Sequence, residues 1–244
     1  MKRLTAFVAA GVLVATAGCS ASGNGPPMSG EPPMIIGSDQ HDDLTWRAAG
    51  DSTLGGDNGQ PGVASLLEGM RNVAVPGATL LQGISNGVPT DTPWIRNVIS
   101  DANIQYGMPD KILIYGGSAD SVVRLIGQSP YADQDYFDEI TNLTNELINL
   151  DVDVYWLNVV PPAGSTSASY QQMRTFRQVI QGFLRDHIPA DHLIDCNPAI
   201  DTDGDGWMDD QFAWSPLDRN HFSPEGTRVF SDCLAAKLGL TKIP

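Results

Sequence analysis

Basic residues are scarce in this chain: 14 lysines and arginines stand against 29 aspartates and glutamates, a formal net charge of −15 at pH 7. A surface of that sign repels phosphate backbones, so nucleic acid is excluded as a partner. Long apolar runs are also rare. Beyond the N-terminal stretch, no segment approaches the ~20 consecutive apolar residues that a membrane-spanning helix needs. Cysteine occurs three times, at Cys19, Cys196 and Cys233. With Cys19 set aside, the other two form an even pair that reads as a disulfide in an oxidising compartment, or else as two buried thiols. Sequence separation alone does not give the Cα distance a bridge demands. Histidine occurs four times, which leaves few candidates for a general base near neutral pH.

The N-terminus supplies what the rest of the chain lacks. Lys2 and Arg3 precede "LTAFVAAGVLVATA" and "GC", so residues 1–18 read as an export signal. "TAGC" resembles the lipobox of bacterial lipoproteins, with Thr16 where leucine is preferred. That resemblance implies a lipidated Cys19 and a membrane anchor facing the extracytoplasmic side. Ordinary cleavage near Ala17 with a free Cys19 is the alternative. The Gly-, Pro- and Ser-rich residues that follow bury nothing, so 19–43 reads as a tether.

From residue 44 to 244 the pattern is that of one domain. Short apolar runs at "LTWRAA", "VAV", "KILIY", "VDVYWLNVV" and "HLID" predict strands, and longer periods near 61–72, 92–105, 133–149, 169–187 and 224–239 predict helices. This βαβα order implies an α/β fold, a mostly parallel sheet covered on both faces. Ser223, Pro224 and Glu225 mark the start of the last helix. Ligand-binding residues in such sheets gather beyond the carboxyl ends of the strands, where Ser52, Gly77 and "GGSAD" (116–120) all fall. "DRNH" (218–221) lies just before the last helix.

Two serines compete as nucleophile. "GISNG" (83–87) fits Gly-x-Ser-x-Gly, but an elbow needs a helix next, and "VPTDTP" follows instead. Ser52 in "GDSTLGG" has the better setting. Of the histidines, His41 lies at the end of the tether, and His187 and His192 flank a polar turn. His221 alone has a carboxylate, Asp218, three residues before it. That spacing lets Asp218 accept from Nδ1 and leaves Nε2 as base.

These residues resemble the SGNH or GDSL hydrolases, esterases and lipases of flavodoxin-like three-layer α/β/α architecture, over roughly residues 44–240. "GDSTLGG" is similar to the first block of that family and implies Ser52 as nucleophile. "NVAVPGATLLQG" resembles the second and implies that the Gly77 N–H faces the oxyanion beside the Ser52 N–H. "DRNHFSPEG" is close to the last, with Asp218 and His221 as acid and base. The third block departs: "IYGGSAD" offers Ser118 where the family has asparagine, a weaker oxyanion donor. The resemblance implies a secreted serine ester hydrolase working through an acyl-enzyme, with a small-molecule, glycan or lipid ester as substrate and no cofactor required for catalysis. A ligand-binding lipoprotein on the same fold and an O-acyltransferase with the same triad are the alternatives.

One motif lies outside these blocks. "DTDGDGWMDD" (201–210) places Asp201, Asp203 and Asp205 at alternate positions with Gly206 next, like a Ca²⁺ loop, although the twelfth position is Phe212 rather than glutamate. Asp209 and Asp210 are candidates to complete a structural Ca²⁺ shell. A solvated acidic turn is the other reading.

Overall fold

The computed structural model describes residues 34–57, 59–85 and 87–243. The expected export signal, Cys19 and most of the tether lie outside the described residues. The strands and helices are β1 (Trp46–Ala49), α1 (Ser52–Gly55), β2 (Gly56–Asp57), β3 (Gln60–Pro61), β4 (Met70–Asn72), β5 (Ile84–Ser85), β6 (Val88–Pro89), α2 (Ile95–Tyr106), β7 (Lys111–Ile114), α3 (Ser118–Leu125), α4 (Asp133–Asn149), β8 (Asp153–Leu157), α5 (Ala168–His187), β9 (Leu193–Ile194) and α6 (Pro224–Leu238).

Five strands form one parallel sheet in the order β4-β1-β7-β8-β9. Their side chains alternate between two buried layers. Trp46, Ala48, Leu113 and Leu157 pack toward α6, whereas Ala49, Ile112, Ile114 and Trp156 pack toward α2, α4 and α5. Apolar residues on both faces explain why these strands read as continuous runs. The chain leaves β1 for β4 on one side and returns to β7 on the other, so the order reverses between β1 and β7. Crevices form at such a reversal.

The structure departs from the expected elements in several places, among them α3 and the hairpins β2–β3 and β5–β6, which stand where no element is expected. No helix covers 61–72: a short 3₁₀ turn, Val63–Leu66, gives way to β4 through Gly69, whose φ of +77° ends any helix. The strand expected at "VAV" lies just upstream, although Val73 and Val75 still donate to Ala48 O and Gly50 O. Residues 34–43, expected in the tether, pack onto the body. Ile35 is buried, its N–H donates to Glu146, and Ile36 bonds Ser100 and Asn103 of α2.

Candidate active site

Ser52 is placed by the turn out of β1. Gly50 passes so close to the end of β7 that a Cβ there would lie 2.4 Å from Tyr115 O, so only glycine fits. Asp51 then caps the single turn of α1, accepting from Thr53 N at 2.9 Å with one oxygen and from Ala119 N at 3.0 Å with the other. One buried carboxylate thus ties the Ser52 turn to the start of α3, across the reversal point. Burial pushes Asp51 above its ordinary value.

The loop before α6 brings in the partners. It is closed by Trp214 N donating to His221 O at 2.8 Å and by the Ala213–Phe222 bridge. Asp218 Oδ1 accepts from the Asn220 and His221 amides, which aims Oδ2 at the ring. His221 Nδ1–H donates to Asp218 Oδ2 at 2.8 Å, and Ser52 Oγ–H donates to Nε2 at 3.1 Å. Because a carboxylate only accepts, Nδ1 carries the ring proton and Nε2 presents a lone pair to the serine. The Asp218 bond raises the pKa of His221 against the opposing effect of burial, and the charges of Asp57 and Asp51 add to it. Burial works to raise Asp218, but the bond and charge of His221 together with the Asn220 and His221 amides outweigh it and hold that carboxyl below its usual range. A slot of ≈ 20 Å³ lies beside the pair, lined by Ser52, Asp57, Gln60, Trp214 and His221 among others.

Ser118 is the first residue of α3, buried, after Gly117 in a left-handed conformation with φ +104°. Gly77 sits exposed at a turn with φ +79° where Ala78 N donates to Val75 O. Asp120 fixes that turn's far side, accepting from Leu80 N, Leu81 N and Gly117 N. Its burial lifts the carboxyl to a pKa of about 7.

Behind these loops lies Arg177 of α5, 1% exposed. It donates to Ser121 Oγ, Val160 O, Ser118 O and Asn220 Oδ1, so a single side chain joins α3, the exit of β8 and the His221 loop. Burial lowers its pKa. Sequence reasoning missed Asp51, Asp57, Arg177 and Asn220. Asp51 and Asn220 adjoin residues that were singled out, whereas nothing in the sequence of a long polar-looking helix marks Arg177.

The remaining candidates fall elsewhere. Ser85 lies in the hairpin β5–β6 with no helix after it. His192 is held between Asp153 and Asp191 at the amino ends of the strands, and His41 is exposed. Cys196 and Cys233 form a disulfide with a Cα–Cα distance of 5.8 Å. In the acidic loop, Asp201, Asp203 and Asp209 each bring a carboxylate oxygen within 4.8 Å of the others. Asp205 and Asp210 are not part of that trio. Asp205 accepts from Trp207 N at 2.8 Å, and Asp210 is drawn off by Arg219 at 2.8 Å.

No protein-family model matches the chain, and no curated protein matches it. Its likeness is to solved structures. A structure from Desulfitobacterium hafniense, named for the G-D-S-L family of lipolytic proteins, superposes with a TM-score of 0.56 at 14% identity, covering 79% of this chain and 99% of that one. An acetylxylan esterase from Geobacillus stearothermophilus gives 0.52 at 18% identity, over 85% and 98% of the two chains. A GDSL-like lipase from Bacteroides thetaiotaomicron gives 0.53 at 13%, over 80% and 87%. At such identities the likeness speaks for the backbone: this chain has the fold of the SGNH/GDSL hydrolase structures.

Proposed function

We propose that this protein is an exported serine ester hydrolase. The observation that carries the reading is the unbroken contact chain from Asp218 through His221 to Ser52, with spacings of 2.8 and 3.1 Å. It sits at the carboxyl edge of a sheet shared with GDSL lipolytic proteins and acetylxylan esterases. Ser52 attacks the ester carbonyl as Nε2 takes its proton, and His221 then protonates the departing alcohol. Water repeats the cycle on the acyl-enzyme. The oxyanion meets the N–H groups of Ser52 and Gly77, with Ser118 assisting. The substrate is a small-molecule, glycan or lipid ester, and Cys19 is the point of membrane attachment. A fluorophosphonate should label the wild-type protein and leave Ser52→Ala unlabelled. Equal labelling of the two would remove Ser52 from this role.

The pH dependence has a fixed sign. His221 must be neutral to act as base, and its pKa is raised, so kcat/KM should climb with pH through a midpoint above the ordinary histidine value. A flat profile across that range, with chemistry limiting, would exclude His221 as base.

A structural Ca²⁺ in the acidic loop is a second part of the reading. It is favoured by the Asp201–Asp203–Asp209 grouping and by Asp201 Oδ1, a buried oxygen with no hydrogen-bond partner among the described residues. Chelation should lower the melting temperature and added Ca²⁺ restore it. Identical melting would mean a solvated turn.

A further inference from the structure

The reacting nitrogen of His221 has two neighbours. Besides Ser52 Oγ at 3.1 Å, Asp57 Oδ2 lies 3.2 Å from Nε2. Asp57 comes from the hairpin that follows the nucleophile turn, where Gly56 pairs with Pro61 and Asp57 with Gln60. The two strands of the hairpin are drawn tightly together: a Cβ on Gly56 would stand 2.4 Å from Gln60 O and 2.5 Å from Gly62 N. That close packing fixes where Asp57 emerges.

A neutral imidazole shows Nε2 only as a lone pair, and a carboxylate offers only lone pairs, so this contact is repulsive until the nitrogen is protonated. On the imidazolium it becomes a charge-assisted hydrogen bond. We propose that Asp57 is a positioning residue for the acid–base step: it holds the imidazolium through Nε2–H and thereby sets the pH at which His221 becomes free to take the Ser52 proton.

This proposal rests on the hydrolase reading. When Ser52 Oγ bonds to the carbonyl carbon, its proton passes to Nε2. When the C–O bond to the alcohol breaks, the same proton leaves with the alcohol oxygen. Asp57 takes no proton in either step. It stabilises the ion between them and competes with the alcohol for its N–H. The carboxylates against the ring are Asp218 from its own loop and Asp57 from the hairpin, while Asp51, its oxygens held by the Thr53 and Ala119 amides, acts through its charge alone. Arg177 reaches this loop only through Asn220, and Arg219 is turned away to Asp210. Two carboxylates therefore touch one imidazole, Asp218 at Nδ1 and Asp57 at Nε2. The Asp57 side chain is 39% exposed, so the effect is smaller than for a buried pair.

The test has two arms. In a Ser52→Ala background, which turns nothing over, the His221 ring is titrated by NMR with and without Asp57→Asn. The midpoint should fall on removing the charge, and Asp57→Glu should keep it high. In the active enzyme, Asp57→Asn should shift the rising limb of kcat/KM to lower pH, so that the rate on that limb increases about threefold or more. Unchanged midpoints in both arms would overturn the proposal. A shifted NMR midpoint in a protein with no ester hydrolysis would keep the Asp57–His221 contact and remove the hydrolase reading instead.

Discussion

Two buried arginines divide the molecule by purpose. Arg96 of α2, fully buried, is met by Glu139 of α4 through two parallel bonds of 2.9 and 3.1 Å and by Glu146 at 2.6 Å. Arg177 is as deeply placed, yet the described residues give it carbonyl, hydroxyl and amide oxygens rather than a paired carboxylate. Burial works to lower both, but the two glutamates raise Arg96 overall while Arg177 stays lowered. The paired arginine fastens two helices to each other. The other one directs its donors to the start of α3, the exit of β8 and the His221 loop, the parts that carry Ser118 and Asn220.

The sharpest way to break this comparison is to remove each charge. Arg96→Met strands Glu139 in the core without a partner, and stability should fall by about 3–5 kcal/mol, read from urea midpoints. kcat of the folded fraction should hold, and a fall in kcat would mean that the helix pair also serves the site. Arg177→Met leaves only neutral acceptors unmet, so stability should drop by about 1–3 kcal/mol. Its main effect should appear in kcat, lowered by about 10²-fold as the loops shift. If Arg177→Met lost stability alone, the two arginines would be equivalent. Ser118→Ala sets the lower end of the scale: kcat should fall by less than the ~10²–10³-fold cost of a strong oxyanion donor, with KM nearly unchanged. Ser118→Asn should raise kcat. If neither substitution moves kcat, Ser118 serves only the turn.

What could be read in the sequence follows the same division. Ser52, Asp218 and His221 were legible because each lies in a short local pattern, and the chain order of those patterns carried the fold with them. The Ser52–His221 bond spans 169 residues, but its two ends announce themselves separately. Asp57 and Arg177 do not. Their roles arise from a hairpin register and from a helix face turned inward, and neither leaves a mark in spacing. α3 was missed for a related reason. Its buried residues include Ser118, Asp120 and Ser121, while Val122 and, just past its end, Ile126 are exposed, so its apolar pattern points away from the core. A helix whose inner face feeds a polar network reverses the rule by which helices are recognised. The predicted helix over 61–72 failed on Gly69, where a backbone reversal overrode the apolar periodicity.

The strap of residues 34–43 gives the molecule a direction. It crosses the amino ends of the strands: Met108 N donates to Gln40 O, Asp42 N to Met108 O, and Asp42 pairs with Arg47 in β1. Ser52 and its partners occupy the opposite rim. The strap and the Ser52–His221 pair therefore lie at opposite ends of the sheet, so a molecule that reaches the pair comes from the side turned away from residues 34–43.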